Sequence, residues 1–291
     1  PSVWNVTKFE LRAPGGTRIA ATGAIASARF TGPLTLDAAD PELLAAWLQG
    51  RSDAAYRNQK PLRLRGTATI APDAVALDDL KADVDGGTVA GRVALLTPDG
   101  GAARFEAALT AARFDLDAAT TLAGALAGPR AGWPAEAQIS LEAGSATIAG
   151  QEMRPAAVRF SYDAASLALE RLQLGDAAKG VALSGSGTFD RSQSTGRFVL
   201  SAAAPSLAQI GALLASVAPA VSERLNTATT EPGAARVQMT AEIGKARDAR
   251  AVLDIDAPQL KGSATLTATP AIDALHRLDL AEAARSPFTI E

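Results

Sequence analysis

Through most of this chain apolar side chains return at every second position, and that regularity constrains the fold more than anything else in the sequence. Leu62, Leu64, Ala68 and Ile70 alternate with Arg63, Arg65, Thr67 and Thr69. The same spacing runs through Val89, Gly91, Val93 and Leu95, through Phe105, Ala107 and Leu109, and through Val158, Phe160 and Tyr162. It returns in Val181, Leu183, Gly185, Gly187 and Phe189, and again in Val237, Met239, Ala241 and Ile243. Successive side chains of a strand point to opposite faces, so a period of two marks strands with one buried face. Turn signals separate the runs at short intervals: Asp85-Gly86-Gly87, Pro98 to Gly101, Asp163 to Ser166, and the polar Asp190 to Gly196. Short strands joined by tight turns imply a largely antiparallel meander.

Helices are few and recur at matching places. Asp40-Pro41-Glu42 combines a capping acid, a proline at the first helical position and an acid in the first turn. Leu43, Leu44, Trp47 and Leu48 then form an apolar face. Asp117 is placed to cap a helix over 118–126, and Ser206 one over 207–217. Thr269-Pro270 opens a fourth, with Ile272, Leu275 and Leu278 on one side. From Phe198 to Ser222 no residue is charged, a stretch long enough to span a bilayer. It contains Pro205, Pro219 and Gln209, and Leu207, Ile210, Leu214, Val217 and Val221 share one helical face, so a helix docked on a sheet is expected instead.

These elements repeat. Aligning 76–124 with 168–216 matches Leu80 with Leu172, Gly91 with Gly185, and Arg104-Phe105 with Arg197-Phe198. A shorter copy places Gly23, Arg29-Phe30 and the helix at Leu43 in the same order. The organisation expected is therefore 1–60, a first partial β-repeat with helix; 61–130, a second; 135–222, a third; and 234–291, a degenerate last repeat, in one continuous elongated domain.

The segment "LKADVDGGTVAGRVAL" (80–95), with its strand, Gly-Gly turn and Gly-x-Val-x-Leu, resembles the AsmA family of bacterial envelope proteins. The strand that follows, ending in Leu-Asp before a leucine helix (104–126), and "LDIDAPQLKGSATL" (253–266) are similar to that family as well. The resemblance implies β-rich repeats that build an elongated open groove with an apolar floor in the periplasm. It also implies an N-terminal inner-membrane helix and a part in bridge-like lipid transfer and outer-membrane biogenesis. No catalytic residue comes with it. The start, "PSVWNVTKFELRAPGG", reads as the inside of a strand and has no basic segment followed by an apolar one. The expectation is an excised segment, with the anchor lying upstream.

Little in the sequence supports chemistry. There are no cysteines and one histidine, His276, so a zinc site would need three or more carboxylates and a Ser-His-Asp triad would need His276. His276, beside Arg277 and Asp279 in an expected helix, reads as an exposed polar residue. Asp115/Asp117 and Asp254/Asp256 could act as paired carboxylates, but alternation with Leu116, Leu253 and Ile255 assigns them to a solvated strand face. "DVDGG" (83–87) begins like a calcium loop, yet the twelfth position is Ala94. No phosphate-cradling glycine motif follows a strand. A net charge of −3 with interspersed signs gives no basic stripe for nucleic acid.

What remains is an apolar surface. The chain is 47% hydrophobic but only 4% aromatic, so this surface is built from many small and aliphatic side chains. With about four short helices to cover so many strands, the sheet either closes as a sandwich or leaves a groove. Acyl chains suit such a groove because their burial is non-directional and scales with area, at ~25 cal/mol per Å². The residues leave both open, and the resemblance favours the groove. The expected fold is thus mainly β: antiparallel strand-rich repeats with a few short capping helices, forming an elongated curved sheet or groove, the alternative being a closed β-sandwich. The expected function is non-enzymatic, without cofactor or metal. It is a periplasmic module that binds or shields lipid acyl chains, or one that engages envelope proteins through sheet edges. Phe105, Leu109, Phe160, Phe189 and Phe198 are the candidate groove-floor residues.

Overall fold

The computed structural model describes residues 2–48, 50, 61–84, 87–98, 101–116, 134–148, 151–214, 233–244, 249–258, 260–268 and 288–290. They form two compact units, Pro1–Glu152 and Met153–Glu291. The fold is mainly β and open rather than a closed sandwich. The first unit holds β1 (Val3–Ala13), β2 (Thr17–Ala26), β3 (Arg29–Ala38), α1 (Pro41–Leu48), β4 (Leu62–Ala71), β5 (Ala74–Val84), β6 (Gly87–Leu96), β7 (Arg104–Asp115) and β8 (Glu136–Ile148). β9 (Gln151–Met153) lies at the division. The second holds β10 (Ala156–Tyr162), β11 (Ser166–Gly175), β12 (Ala182–Asp190), β13 (Thr195–Ala204), α2 (Leu207–Leu214), β14 (Ala235–Ile243), β15 (Ala249–Ala257), β16 (Leu260–Ala268) and β17 (Phe288–Ile290).

In the first unit β1 to β8 pair in chain order. Residues paired across strands share a face, so register converts the alternation into surface chemistry. One row runs Trp4, Ile25, Phe30, Ile70, Val75, Leu95, Phe105, Ala137. Another runs Leu11, Ile19, Leu36, Leu64, Ala82, Val89, Ala111, Ala143. Both cross all eight strands without a polar side chain. Between them Ala68, Leu77 and Leu80 are buried together with Ala82 of the second row, with Leu34, Leu64, Val93 and Leu109 packed against them. The opposite face carries the charges, in ion pairs such as Arg92 with Asp78 (2.8 Å) and Arg104 with Glu106 (3.0 Å). Exposed pairs of this kind contribute roughly 0–1 kcal/mol each, so they keep that face wet more than they hold the sheet together.

In the second unit β10 to β17 also pair in order, all antiparallel. Its apolar face has a corresponding row across β10 to β16: Phe160, Leu169, Gly187, Phe198, Ala241, Ala251, Leu266. Here a helix packs on the sheet. Leu207 and Ile210 of α2 are buried with Ala202, Val237 and Leu253 beneath them. The uncharged stretch from Phe198 thus begins as a strand and continues as a docked helix. No helix among the described residues is long and apolar enough to cross a membrane.

Three strand pairs share an irregularity that the sequence did not reveal. In β1–β2, β5–β6 and β11–β12 two residues of the first strand oppose one of the second, a β-bulge. Just past it, Phe9, Leu80 and Leu172 pair with Ala21, Gly91 and Gly185, and these in turn pair with Leu34, Leu109 and Leu200. Seven residues beyond each of those leucines the first helical residue follows: Pro41, Leu116 and Leu207. In this register Leu80 corresponds to Leu172 and Gly91 to Gly185, but Phe198 stands two residues out of step with Phe105. The counterpart of Gly91 in β2 is Ala21, not Gly23.

Two local expectations meet a different outcome. β7 and β8 are parallel, with Arg104 beside Glu136 and Asp115 beside Thr147, so one connection is a crossover rather than a hairpin. Trp47 is 50% exposed, whereas Leu44, Ala45 and Ala46 of α1 are buried, as are Pro41 and Glu42. The residue before the helical Leu116 is Asp115; the expected capping Asp117, the helix over 118–126 and the Thr269-Pro270 helix with His276 lie outside the described residues.

Candidate functional site

All five candidate floor residues lie on the apolar faces, in two groups. Phe105 and Leu109 are half-buried neighbours on β7, Phe105 between Leu95 and Ala137 and Leu109 between Gly91 and Leu141. Phe160 and Phe198 share one row of the second unit. Phe189 falls in the next, between Leu167 and Gly196, and at 1% exposure it is core rather than lining. Tyr162 stands beside Phe160, ring centroids 5.7 Å apart and tilted by 52°, and burial raises the pKa of its hydroxyl.

Glycines let the large side chains lie flat. Phe198 covers Gly187, where an added Cβ would collide with its ring. Gly91 has φ +145°, and a Cβ there would run into the carbonyl oxygen of Ala108. It supplies both a backbone conformation unsuited to side chains and the close approach of β7 beside the bulge.

The apolar residues most open to solvent are not among the five candidates. In the first unit Trp4 is 70% exposed and Val75 51%, and Phe9, Leu11, Ile25, Ile70 and Leu95 are exposed with them. All seven are on the apolar face. Exposed apolar area that is contiguous, rather than scattered, marks a binding surface. The signal was available in the alternation, but no single-strand pattern says which rows other elements will cover.

Hollows lie on the polar face of the second unit. One of about 780 Å³ lies on the second unit beside the β11 bulge, among Arg171, Gln173, Ser184, Ser186 and Ser201. Another of about 550 Å³ reaches Arg236, Gln238, Asp254 and Asp256. Asp256 pairs with Lys261 at 3.0 Å, and both are exposed. Among the described residues no group of three or more His, Asp or Glu side chains is arranged to hold a metal ion.

The turns of the second unit are ordered by carboxylates. Asp163 accepts hydrogen bonds through Oδ1 from the amides of Ala165 (2.8 Å) and Ser166 (2.7 Å), which lower its pKa. Asp190 accepts from the Ser192 hydroxyl at 2.6 Å and the Gln193 amide at 2.9 Å, with the same effect. Arg191 joins the two turns, its guanidinium donating to the Asp163 carbonyl at 2.6 Å. These carboxylates shape turns at strand ends, away from the rows of apolar side chains.

No protein-family model, no curated protein and no solved structure matches the chain. The site therefore has to be read from its own chemistry: in each unit a sheet with one largely apolar face, which in the first unit is open to solvent.

Proposed function

We propose that this chain is a non-catalytic module of an AsmA-like envelope protein. It works in the periplasm, tied to the bacterial inner membrane through a segment outside this chain, and shields lipid acyl chains along its apolar faces in lipid transport or outer-membrane biogenesis. One observation carries the reading. A row of eight apolar residues crosses the first unit from Trp4 to Ala137, and Trp4, Ile25, Ile70, Val75 and Leu95 within it are exposed. Seven interstrand steps of about 4.8 Å make that row about 34 Å long. Its side chains offer area without directional hydrogen bonds, which suits a ligand that is a chain of methylenes. The charged face behind it keeps the module in water.

The test is lipid extraction and mass spectrometry of the purified chain, followed by titration with a fluorescent fatty acid. Phospholipid or fatty acid is expected to co-purify, and Leu95→Lys is expected to weaken binding of the probe at least tenfold without lowering the melting temperature. A chain free of lipid that also ignores the probe sinks the reading.

A further inference from the structure

The two units carry different chemistry on the polar side of equivalent bulges. In the first, Arg92 lies on the polar face beside the β5 bulge, joined to Asp78 at 2.8 Å and to Glu106 at 3.5 Å. Lys81 stands in the neighbouring row, beside Ala90 and then Thr110. The register that matches Leu80 with Leu172, Gly91 with Gly185 and Leu109 with Leu200 puts Glu170 at the place of Asp78 and Ser186 at that of Arg92. In the same register Gln173, Ser184 and Ser201 stand where the first unit has Lys81, Ala90 and Thr110. Two cations are thereby exchanged for neutral, hydrogen-bonding side chains. At the place of the arginine the second unit has a hollow of about 780 Å³, lined by Glu170, Arg171, Gln173, Ser184, Ser186 and Ser201. The hollow of about 550 Å³ shares Ser184 and Ser201 with it and runs on to Gln238 and Asp254.

We propose that this trough on the polar face of the second unit binds an extended, neutral oligosaccharide. One row crosses it strand by strand: Gln173, Ser184, Ser201, Gln238, Asp254, Ser263. Five interstrand steps of about 4.8 Å make the row about 24 Å long. Each member offers a hydroxyl, an amide or a carboxylate, and Ser184, Gln238 and Asp254 are exposed. Serine hydroxyls and glutamine amides both donate and accept, as sugar hydroxyls do, so either orientation of a ligand hydroxyl finds a partner. Neutral groups also give up water at less cost than charged ones. Charges at the margin are offset in place: Glu170 by Arg159 at 3.9 Å, Asp176 by Lys179 at 3.6 Å, and Asp256 by Lys261 at 3.0 Å. That balance suits an uncharged ligand better than an anion or a cation. An acyl chain laid here would strip these groups of water without replacing their hydrogen bonds. The hydroxyls of an extended β-linked glucan recur at a spacing close to that of neighbouring strands, so one chain along the row meets strand after strand. The trough lies on the face opposite the apolar rows, so this site and acyl-chain binding can each fail without the other.

Cellohexaose is the probe, titrated into the isotope-labelled 291-residue chain and followed by amide NMR shifts. Saturable shifts are expected in β11 to β15, with β1 to β8 unchanged. Ser186→Arg restores the arginine of the first unit beside Glu170 and is expected to weaken binding at least tenfold. Position 186 is exposed, so the melting temperature should not move. Gln238→Ala is expected to weaken binding roughly two- to tenfold, the worth of one hydrogen bond. Absence of saturable shifts, shifts centred outside β11 to β15, or full-strength binding by Ser186→Arg overturns the proposal. Equal binding of maltohexaose, whose α-linkages coil the chain, overturns it as well.

Discussion

The apolar faces of the two units are written in the same alternation and end differently at the surface. On the apolar face of β1 to β6 seven large side chains stand exposed, while in the second unit none of the described ones does. Part of the difference is α2, which lies on Ala202, Val237 and Leu253; part is local, as where the Phe198 ring covers Gly187. α1 starts at the corresponding place, seven residues after Leu34, but packs at the strand ends with Ala38 and Leu62 and leaves Trp47 outside. An apolar face is thus a property of strand pattern, whereas its coverage depends on where the following helix lies.

Substitutions in the two helices should break this comparison most sharply. Ile210 is fully buried, so Ile210→Ala leaves a cavity and is expected to cost about 2–5 kcal/mol in urea unfolding. Trp47→Ala, at the half-exposed position of α1, is expected to cost well under half of that. If the two losses were equal, the helices would be covering their sheets alike. Next in size is Gly91→Ala, which places a Cβ against the Ala108 carbonyl at a positive φ and is expected to cost ~1–3 kcal/mol. Gly262→Ala, with open space around it, is the control and should leave the midpoint nearly unchanged.

The caps come third. Asp40 Oδ1 accepts from the amides of Glu42 and Leu43, both at 3.1 Å, and Asp40→Ala is expected to cost ~1 kcal/mol. Ser206 Oγ accepts from Gln209 at a longer 3.4 Å, so Ser206→Ala should cost less. Acid should produce the smallest effect. The folded-state pKa values of Asp163 and Asp190 are lowered, so their stabilisation is complete above the ordinary aspartate pKa of about 3.9 and is lost as pH falls through the lowered values. Asp163→Asn is expected to flatten the decline of melting temperature below about pH 4, on the order of a degree or two. A mutant curve parallel to the parent's would show that this turn carries none of the acid response.

Much of this fold could be read directly. Alternation at Leu62 to Ile70 and at Val237 to Ile243 assigned strands and faces, because a period of two has one geometric meaning. Asp40-Pro41-Glu42 announced a helix because a cap is a local hydrogen-bonding arrangement. The bulges at Lys8, Asp79 and Arg171 stayed hidden, since an extra residue changes which partner a side chain meets without breaking the local pattern. For the same reason Arg104-Phe105 and Arg197-Phe198 match as words but are offset by two in the sheet. Of the candidate floor, Phe105 and Phe198 were placed on the correct face by alternation alone. The core position of Phe189 and the exposure of Trp4 and Val75 depend on neighbouring strands and helices that no single segment specifies.

The parallel pairing of β7 with β8 bears on how the first unit assembles. The other pairings from β1 to β7 join successive strands antiparallel, and all but β3–β4, whose connection carries α1, close through short loops. β8 cannot dock until the connection over 116–135 has brought its start back to the start of β7, since Glu136 aligns with Arg104. Closing that loop is entropically costlier than closing a tight turn and yields no strand pairing until it is complete. The β7–β8 and β3–β4 seams should therefore form after the tight hairpins and, in a refolding experiment, their amides should gain protection latest.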